Sequence, residues 1–231
     1  KTVRVTDLDS LESLIVSDDS SNVYLGTALG KVLALDINVS FVPAAVRWTS
    51  WTGGDVDQAG AASPSAVFVG SDDYNLYRLD AADGSVVWQV WVETPYIGPI
   101  TLSADGTMLV VKVGSYYHAF DVDTGAKYWE SSIYSSVYVI DELFWSAVHP
   151  SVLYVSQSNV GFSALNSTNG EVIWSYDSGF SWGVHNRPIL SADETILYTY
   201  GDYYYPYTYG ITAVEVATMT KLWSWAHYNY N

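Results

Sequence analysis

The residues best suited to covalent chemistry lie in the pentapeptide GFSWG at 179–183. Its Gly-x-Ser-x-Gly pattern is typical of serine hydrolases, in which the serine sits at a strand–turn–helix elbow near a His–acid pair. His185 lies close in sequence, but the pentapeptide falls between two strand-rich repeats, where Gly and Ser are ordinary loop residues. We therefore predict no catalytic serine, and no other catalytic residue, in this chain.

Thiol and zinc chemistry are also disfavoured by the residues present. The chain has no Cys, which removes disulfides, thiolate zinc sites, iron–sulfur clusters and Cys nucleophiles and leaves the redox compartment open. A zinc site needs several converging ligands, whereas the His residues are spread over several repeats and share no ligand spacing. These residues are His118, His149, His185 and His227.

Two acidic doublets, Asp18-Asp19 and Asp72-Asp73, could supply oxygen ligands to calcium. Calcium takes at least about six oxygens, and the segment SDDSSN at 17–22 contains several. Asp, Ser and Asn are also the commonest turn residues, and both doublets fall in turn-like segments between strands. We therefore interpret both doublets as turns and predict no metal site.

The charge balance excludes one class of partner. The chain of 231 residues contains 25 acidic and nine basic residues, so its net charge is −16, which repels nucleic acid and anionic lipid.

A membrane-spanning helix needs about 18 or more consecutive apolar residues, and the nearest run, 137–148, is broken by Asp141 and Glu142. We predict no nucleic-acid partner and no membrane insertion.

A recurring Asp–Gly–Trp phrase predicts the architecture of the chain. In LDAADGSVVWQVW (79–91) an Asp opens a turn, a Gly closes it and a Trp follows on the next strand. The Asp can accept the N–H two residues on, and the Gly suits a position of positive φ. The Trp offers a flat surface that can pack against the next repeat. The Trp residues of the phrase are Trp48, Trp88, Trp129, Trp174 and Trp223, at intervals of 40–49 residues.

Each repeat contains about four short strands. In the second repeat, alternating apolar runs at 66–71, 75–80 and 85–91 are separated by the turn segments DDYN and AADG. A further short strand precedes each repeat, as in GPITLSADGTMLVV at 98–111. Four-stranded repeats of this length are typical of β-propeller blades. The sequence therefore predicts an all-β propeller with five recognisable four-stranded blades.

These repeats resemble the quinoprotein-like propellers, which are built from pyrroloquinoline-quinone-type repeats. The run VFVGSDDYNLYRLDAADGSVVWQV (67–90) is similar to the blade pattern of that family, and so are the runs at 117–129 and 160–174. The family contains quinone- and calcium-dependent dehydrogenases. It also contains non-enzymatic scaffolds, among them a bacterial outer-membrane assembly lipoprotein and the luminal domains of unfolded-protein sensor kinases. The vicinal Cys pair of the dehydrogenases is impossible here, so the resemblance implies the fold and we predict no cofactor.

We predict a single β-propeller domain over residues 1–231. Its blades are expected near 9–51, 52–92, 93–131, 132–178 and 179–231, with residues 1–8 as an extra strand. An open arc would leave apolar faces and strand edges exposed, which favours a closed five-bladed ring. Membership of a larger propeller or of a longer multi-domain parent is the alternative.

The stretch YTYGDYYYPYTYG at 198–210 lengthens the fifth blade between its second and third strands. Tyr rings grip proteins and stack on sugars at low entropic cost, and an insertion on one blade is a plausible binding surface. The predicted binding patch comprises Tyr203, Tyr204, Tyr205, Tyr207 and Tyr209. The alternative is a hairpin extension whose rings pack on one another and on Trp182 or Trp225.

Two Asn residues, Asn38 and Asn166, begin N-glycosylation sequences of the Asn-x-Ser/Thr type. Both fall at blade turns, where an exposed Asn could carry a glycan if the protein passes through a eukaryotic secretory pathway. Asn166 also takes the place of the Asp in its turn, which is a purely structural reason for its presence. Glycosylation at the two positions is a prediction.

The fold, the acidity and the lack of a catalytic constellation predict a non-catalytic interaction or scaffold module. Such a module would bind a protein or glycan partner through its loops, or associate with itself. Its expected location is extracellular or at the cell surface, or in the periplasm or envelope of a bacterium. Two alternatives stay open: a structural subunit of an extracellular assembly, and a quinone-dependent dehydrogenase or its inactive remnant.

Overall fold

The computed structural model describes residues 10–17, 20, 22–36, 46–58, 60–134, 143–157, 161–177, 189–203 and 208–228. Within these ranges the chain forms twenty β-strands in five four-stranded sheets. Neighbouring strands of a sheet are consecutive in the chain and run antiparallel. In this part of the chain no helix has the length and apolarity that crossing a bilayer would require.

The five sheets follow one another along the chain. The first contains β1 (Leu11–Val16), β2 (Asn22–Thr27), β3 (Lys31–Asp36) and β4 (Val46–Trp51). The second contains β5 (Ala61–Ala62), β6 (Ala66–Ser71), β7 (Asn75–Asp80) and β8 (Val86–Trp91). The third contains β9 (Ile97–Leu102), β10 (Met108–Val113), β11 (Tyr116–Asp121) and β12 (Lys127–Glu130).

The fourth and fifth sheets repeat the same order. The fourth contains β13 (Leu143–Trp145), β14 (Val152–Gln157), β15 (Gly161–Asn166) and β16 (Val172–Asp177). The fifth contains β17 (Ile189–Leu190), β18 (Ile196–Tyr203), β19 (Thr208–Glu215) and β20 (Thr220–Tyr228). Each sheet is therefore one antiparallel meander, as a propeller blade requires.

The second blade shows why its middle strands are nearly continuous apolar runs. All six residues of β6 are buried, because a neighbouring sheet packs on each face. Val67 and Val69 belong to an apolar cluster with Tyr24 of the first blade. Phe68 belongs to a second cluster, with Leu109 of the third blade. Successive side chains of β6 thus pack alternately against the first and the third blade, because the side-chain period of a strand is two.

The chain divides into two compact units, Lys1–Tyr128 and Trp129–Asn231, and the division falls inside β12. The two clusters of the second blade belong to the first unit. In the second unit, the rings of Tyr154 and Phe162 stack with their centroids 5.5 Å apart. They lie in an apolar cluster that also contains Leu197 and Val214 of the fifth blade.

The Trp of the repeated phrase docks on the turn of the following blade. The Trp48 Nε1–H donates to the carbonyl oxygen of Ala81 at 3.0 Å. Gly84 has φ of +77°, and a Cβ added there would lie 2.4 Å from Trp48 Cε3. Only Gly meets both demands, because any other residue would strain the backbone and collide with the indole. The same indole-to-carbonyl bond joins Trp88 to Val122 and Trp129 to Ser167, at 2.9 and 2.7 Å.

In the second and third blades, the Asp that opens the turn acts as predicted. Asp80 Oδ1 accepts the N–H of Ala82 at 2.7 Å, and Asp121 Oδ1 accepts the N–H of Asp123 at 3.0 Å. In the last repeat Met219 replaces the Gly and adopts φ of +53°. The last turn is therefore more strained than the turns that contain Gly84, Gly125 and Gly170, because a side chain disfavours left-handed backbone.

The predicted all-β fold with five four-stranded blades is confirmed. The closed ring, the single domain over 1–231 and the blade limits stay predictions. The extra strand predicted at residues 1–8 lies outside the described residues.

Candidate functional site

The Tyr-rich segment of the fifth blade includes the end of β18 and the start of β19. Strand β18 ends at Tyr203 and β19 begins at Thr208, and these two residues pair across the ladder. The strands have eight residues each, against six in β6 and β7, so the hairpin is extended. Tyr209 lies on β19. The other predicted patch residues, which lie outside the described residues, are Tyr204, Tyr205 and Tyr207. Binding by this patch stays a prediction.

The two predicted glycosylation residues differ in what the structure describes. Asn38 lies outside the described residues. Asn166 Oδ1 accepts the N–H of Thr168 at 2.9 Å and its hydroxyl at 2.6 Å, and the carbonyl oxygen of Asn166 accepts the N–H of Gly170 at 2.8 Å. Asn166 therefore has the structural role of the Asp in other turns, and its glycosylation stays a prediction.

The other residues considered for chemistry do not form a site among the described residues. The pentapeptide at 179–183, His185 and the Asp18-Asp19 doublet lie outside them. His118 stacks on Phe120 in β11, with ring centroids 6.2 Å apart. Within the described ranges, no three His, Asp or Glu side chains come together as a metal ion would require.

The structure reveals an exposed aromatic surface that the sequence analysis missed. Trp51 and Trp91 are 58% and 64% exposed. Each ends the fourth strand of its blade and pairs with the first residue of the third strand, Lys31 or Asn75. The corresponding residues of the later blades are Ser132, Asp177 and Ala226. Among the five repeats, a Trp at this strand position is thus specific to the first two blades.

The loop after Trp51 is bonded to the turn between β6 and β7. The Gly53 N–H donates to Asp73 Oδ2 at 2.7 Å. The hydroxyl of Ser71 donates to the carbonyl oxygen of Gly54 at 3.0 Å. Trp51 therefore lies beside the turn of the second blade, and the loop that carries it is held by hydrogen bonds.

Tyr74 connects this turn to Trp91. It adopts φ of +72° and is 42% exposed. Its carbonyl oxygen accepts the N–H of Val92, the residue after Trp91, at 2.7 Å. Because β8 ends where β7 begins, Trp51, Tyr74 and Trp91 lie at the same end of the first two blades.

Carboxylates occupy the loop after Trp51 and the turn that contains Tyr74. The Asp72 N–H donates to the carbonyl oxygen of Asp55 at 2.9 Å. Partial burial raises the pKa of Asp72, and the charges of Asp57, Asp55 and Asp73 raise it further, so negative potential is concentrated here. We name this surface the aromatic–acidic face. It comprises Trp51, Tyr74, Trp91, Asp55, Asp57 and Asp72.

Asp73 has a different role from its neighbour Asp72. Burial by itself would raise the pKa of Asp73, but hydrogen bonds from the Tyr77 hydroxyl, the Gly53 N–H and Asn75 outweigh burial and lower it. Burial, together with the bond to Asp73, raises the pKa of Tyr77 to about 12. Asp73 is therefore the ionised anchor of the loop, and the prediction that this doublet forms a turn is confirmed.

A second carboxylate braces the fourth and fifth blades. Glu194 Oε1 accepts the N–H of Ala147 at 2.7 Å, and Oε2 accepts the hydroxyl of Tyr154 at 2.9 Å and that of Ser146. Glu194 is buried and has φ of +55°. Burial by itself would raise its pKa, but these hydrogen bonds outweigh burial and lower it. The Glu194 carboxylate therefore has a structural role, because it joins the fifth blade to the fourth by hydrogen bonds.

A cavity of about 450 Å³ lies beside Glu194. Its lining is largely apolar and includes Phe144, Trp145, Ile189 and Leu190. Among the described residues, the buried Trp145 Nε1–H has no hydrogen-bond partner. Glu194, the carboxylate of this lining, already accepts hydrogen bonds from the fourth blade.

The sequence does carry a signal for the aromatic–acidic face. Trp recurs three residues after the Trp of the phrase at Trp51 and Trp91 alone. Both Trp residues end an edge strand and are more than half exposed. What the spacing could not show is that the loop at 52–57 is hydrogen-bonded to the turn of the second blade.

Residues 39–224 match the model of a protein family described as outer membrane protein assembly factor BamB. The chain is 32% identical over 114 residues to the serine/threonine-protein kinase AfsK of Streptomyces coelicolor. The matched residues are 47% of this chain and 13% of that protein. It is 21% identical over 172 residues to BamB of Shewanella oneidensis, with 74% of this chain and 43% of that protein covered.

Two solved structures share the fold. BamB from Moraxella catarrhalis has a TM-score of 0.69 at 20% identity, over 96% of this chain and 66% of that chain. Hydrazine synthase of Kuenenia stuttgartiensis has a TM-score of 0.67 at 15% identity, over 93% of this chain and 65% of that chain. The chain spans less than half the length of the two sequence relatives. The predicted resemblance to quinoprotein-like propellers is confirmed.

Proposed function

The chain belongs to the family of the outer membrane protein assembly factor BamB, and from this premise we propose that it is a non-catalytic interaction module of a cell envelope. The module binds protein partners through the turns at the ends of its blades. The proposed location is the periplasm if the source is bacterial and the cell exterior otherwise.

The observation that carries this proposal is the aromatic–acidic face. Trp and Tyr are enriched in protein interfaces, where large rings bury much area at little entropic cost. Trp51 and Trp91 are more than half exposed, although the loop and turn that hold them are bonded to each other. A surface that is ordered before binding avoids part of the entropic cost of association.

Crosslinking in the intact source cell tests this function. A photoreactive amino acid is placed at position 91, and at position 83 in the matched control. Asp83 lies in the turn between β7 and β8, at the opposite end of the same blade. We expect a protein adduct from position 91 and none from position 83. Equal adducts from both positions, or none from either, would contradict the proposal.

The dehydrogenase alternative has a separate test. Purified protein is titrated with pyrroloquinoline quinone and calcium while absorbance and alcohol oxidation are followed. We expect neither a spectral shift of the quinone nor turnover. A saturable shift accompanied by oxidation of an alcohol would replace the interaction function by an enzymatic one.

A further inference from the structure

We propose that the aromatic–acidic face binds an extended cationic segment of a partner protein. Lys or Arg side chains of that segment would lie over the ring of Trp91 and over the face of Trp51 opposite to Lys31, which already covers one face of that ring. Their charged groups would lie beside Asp57 and Asp72. This inference rests on the proposed function and adds the chemistry of the partner.

The aromatic half of the face is suited to cations. The face of an indole ring carries negative potential and attracts Lys and Arg, more strongly than Tyr or Phe rings do. The protein already contains an example, since Lys31 Nζ lies 5.0 Å from the ring centroid of Trp51. Trp91 takes the same place in the second blade and is the more exposed of the two.

The acidic half of the face selects the sign of the partner. Asp72 is surrounded by the charges of Asp55, Asp57 and Asp73, and the whole chain has a net charge of −16. An anionic segment would be repelled and a cationic one attracted from a distance. The local carboxylates then determine where on the acidic protein the cation settles.

The arrangement over two blades determines the form of the partner. Packed sheets lie at least about 10 Å apart, and an extended chain advances about 3.3 Å for each residue. Cations at least about three residues apart would therefore be needed to reach Trp51 and Trp91 together. A single ion would occupy only one blade, so the face fits an extended segment with spaced positive charges.

The test uses purified protein and a capped Gly/Ser peptide with Lys at every third position. Binding is measured by calorimetry at low and at physiological salt. We expect saturable binding that weakens with salt. The double variant W51A/W91A should bind roughly tenfold more weakly, since each exposed ring contributes about two- to fivefold. It keeps the net charge of the protein, so general attraction to an acidic surface cannot explain that loss.

Matched variants separate the face from the rest of the molecule. The double variant D57N/D72N should weaken binding several-fold and reduce its dependence on salt. Asp83→Asn makes an equivalent charge change at the other end of the second blade, and Trp225→Ala removes an equally exposed indole, 57% exposed, from the fifth blade. Both control variants should bind within a factor of about two of the unchanged protein.

Three results would overturn the inference. The first is binding that W51A/W91A leaves unchanged, and the second is equal binding of a peptide with Glu in place of Lys. The third is binding of cellohexaose, lost in W51A/W91A, without binding of the Lys peptide, which would identify a carbohydrate surface. If crosslinking at position 91 still captures a protein, the proposed function stands and only the cationic partner is wrong.

Discussion

The junction between the first two blades and the junction between the last two are built from the same phrase but packed differently. In the first unit, buried Trp48 donates to Ala81 and lies on Gly84. In the second unit, Trp174 is partly buried and packs against the same apolar cluster as Met219, which takes the place of the Gly. The two junctions therefore differ at one turn position: Gly84 leaves to the Trp48 indole the space that a Cβ would take, whereas Met219 adds a side chain to the cluster on which Trp174 packs.

Each junction also has a carboxylate brace, placed at a different turn. In the first unit Asp73, between the second and third strands of its blade, binds Gly53 and Tyr77. In the second unit Glu194, between the first and second strands, binds Tyr154 and Ala147. Glu194, the more buried of the two carboxylates, lies at the junction where the Trp indole is only partly buried.

The largest expected effect is the loss of an indole. Trp48→Ala should lower the free energy of unfolding by about 4 kcal/mol, because it leaves a cavity and removes a buried hydrogen bond. Trp174→Ala should cost about 2 kcal/mol, since that ring is only partly buried. Urea denaturation measures both, with the exposed Trp51→Ala as control. Equal losses at Trp48 and Trp174 would contradict the contrast between the junctions.

The turn residues should respond in a similarly unequal way. Gly84→Ala should cost about 3 kcal/mol, because an Ala there combines positive φ with a collision against Trp48. Met219→Gly should change stability by less than about 1 kcal/mol, since relief of backbone strain offsets lost packing. Thermal unfolding of the two variants measures the difference. A neutral Gly84→Ala would show that the indole does not need the Gly.

The braces provide the next smaller contrast. Glu194→Gln replaces one acceptor by an amide donor among buried donors, and should cost about 2 kcal/mol. Asp73→Asn, in a more exposed turn, should cost about 1 kcal/mol. Double-mutant cycles with Tyr154→Phe and Tyr77→Phe check that each loss of stability depends on the hydrogen bond from the tyrosine hydroxyl. A larger loss at Asp73 than at Glu194 would reverse the interpretation of the two braces.

The pH dependence should give the smallest differences. The pKa values of Asp73 and Glu194 are lowered in the folded protein, so their stabilisation is complete above the unfolded values of 3.8 and 4.5 and is lost as pH falls through the folded pKa. The pKa of Tyr77 is raised to about 12, so its contribution is lost as pH rises from 10.0 towards 12.

Denaturation of variants across pH checks these windows against the unchanged protein. Asp73→Asn and Glu194→Gln should each flatten the acid limb of the stability curve. Tyr77→Phe should flatten the alkaline limb. An acid limb that neither carboxylate variant changes would assign acid unfolding to other residues.

The repeated elements were predictable because their causes are local. Asp80 and Gly84 form their turn through bonds within a few residues, and the alternation of β6 reflects a two-residue period. The two braces were not predictable in this way. Asp73 contacts Gly53, and Glu194 contacts Ala147, 20 and 47 residues away along the chain, and neither residue recurs in the repeat.

The candidate site follows the same division. The Tyr-rich hairpin of the fifth blade was visible as composition, and its strands reach Tyr203 and Thr208. The aromatic–acidic face was not recognised, although Trp51 and Trp91 occupy matching places in the repeat. A spacing shows which strand position a Trp takes, whereas its exposure depends on what packs beside that strand.

The blades follow from the sequence, because strand length, turn chemistry and the place of each Trp depend on neighbours along the chain. The carbonyl oxygen that accepts the Trp48 Nε1–H, the carboxylate that anchors a loop and the one that stays at the surface follow from the folded structure. Turn and strand preferences act over a few residues. Hydrogen-bond partnership and solvent exposure depend instead on distances between blades, which no local pattern contains.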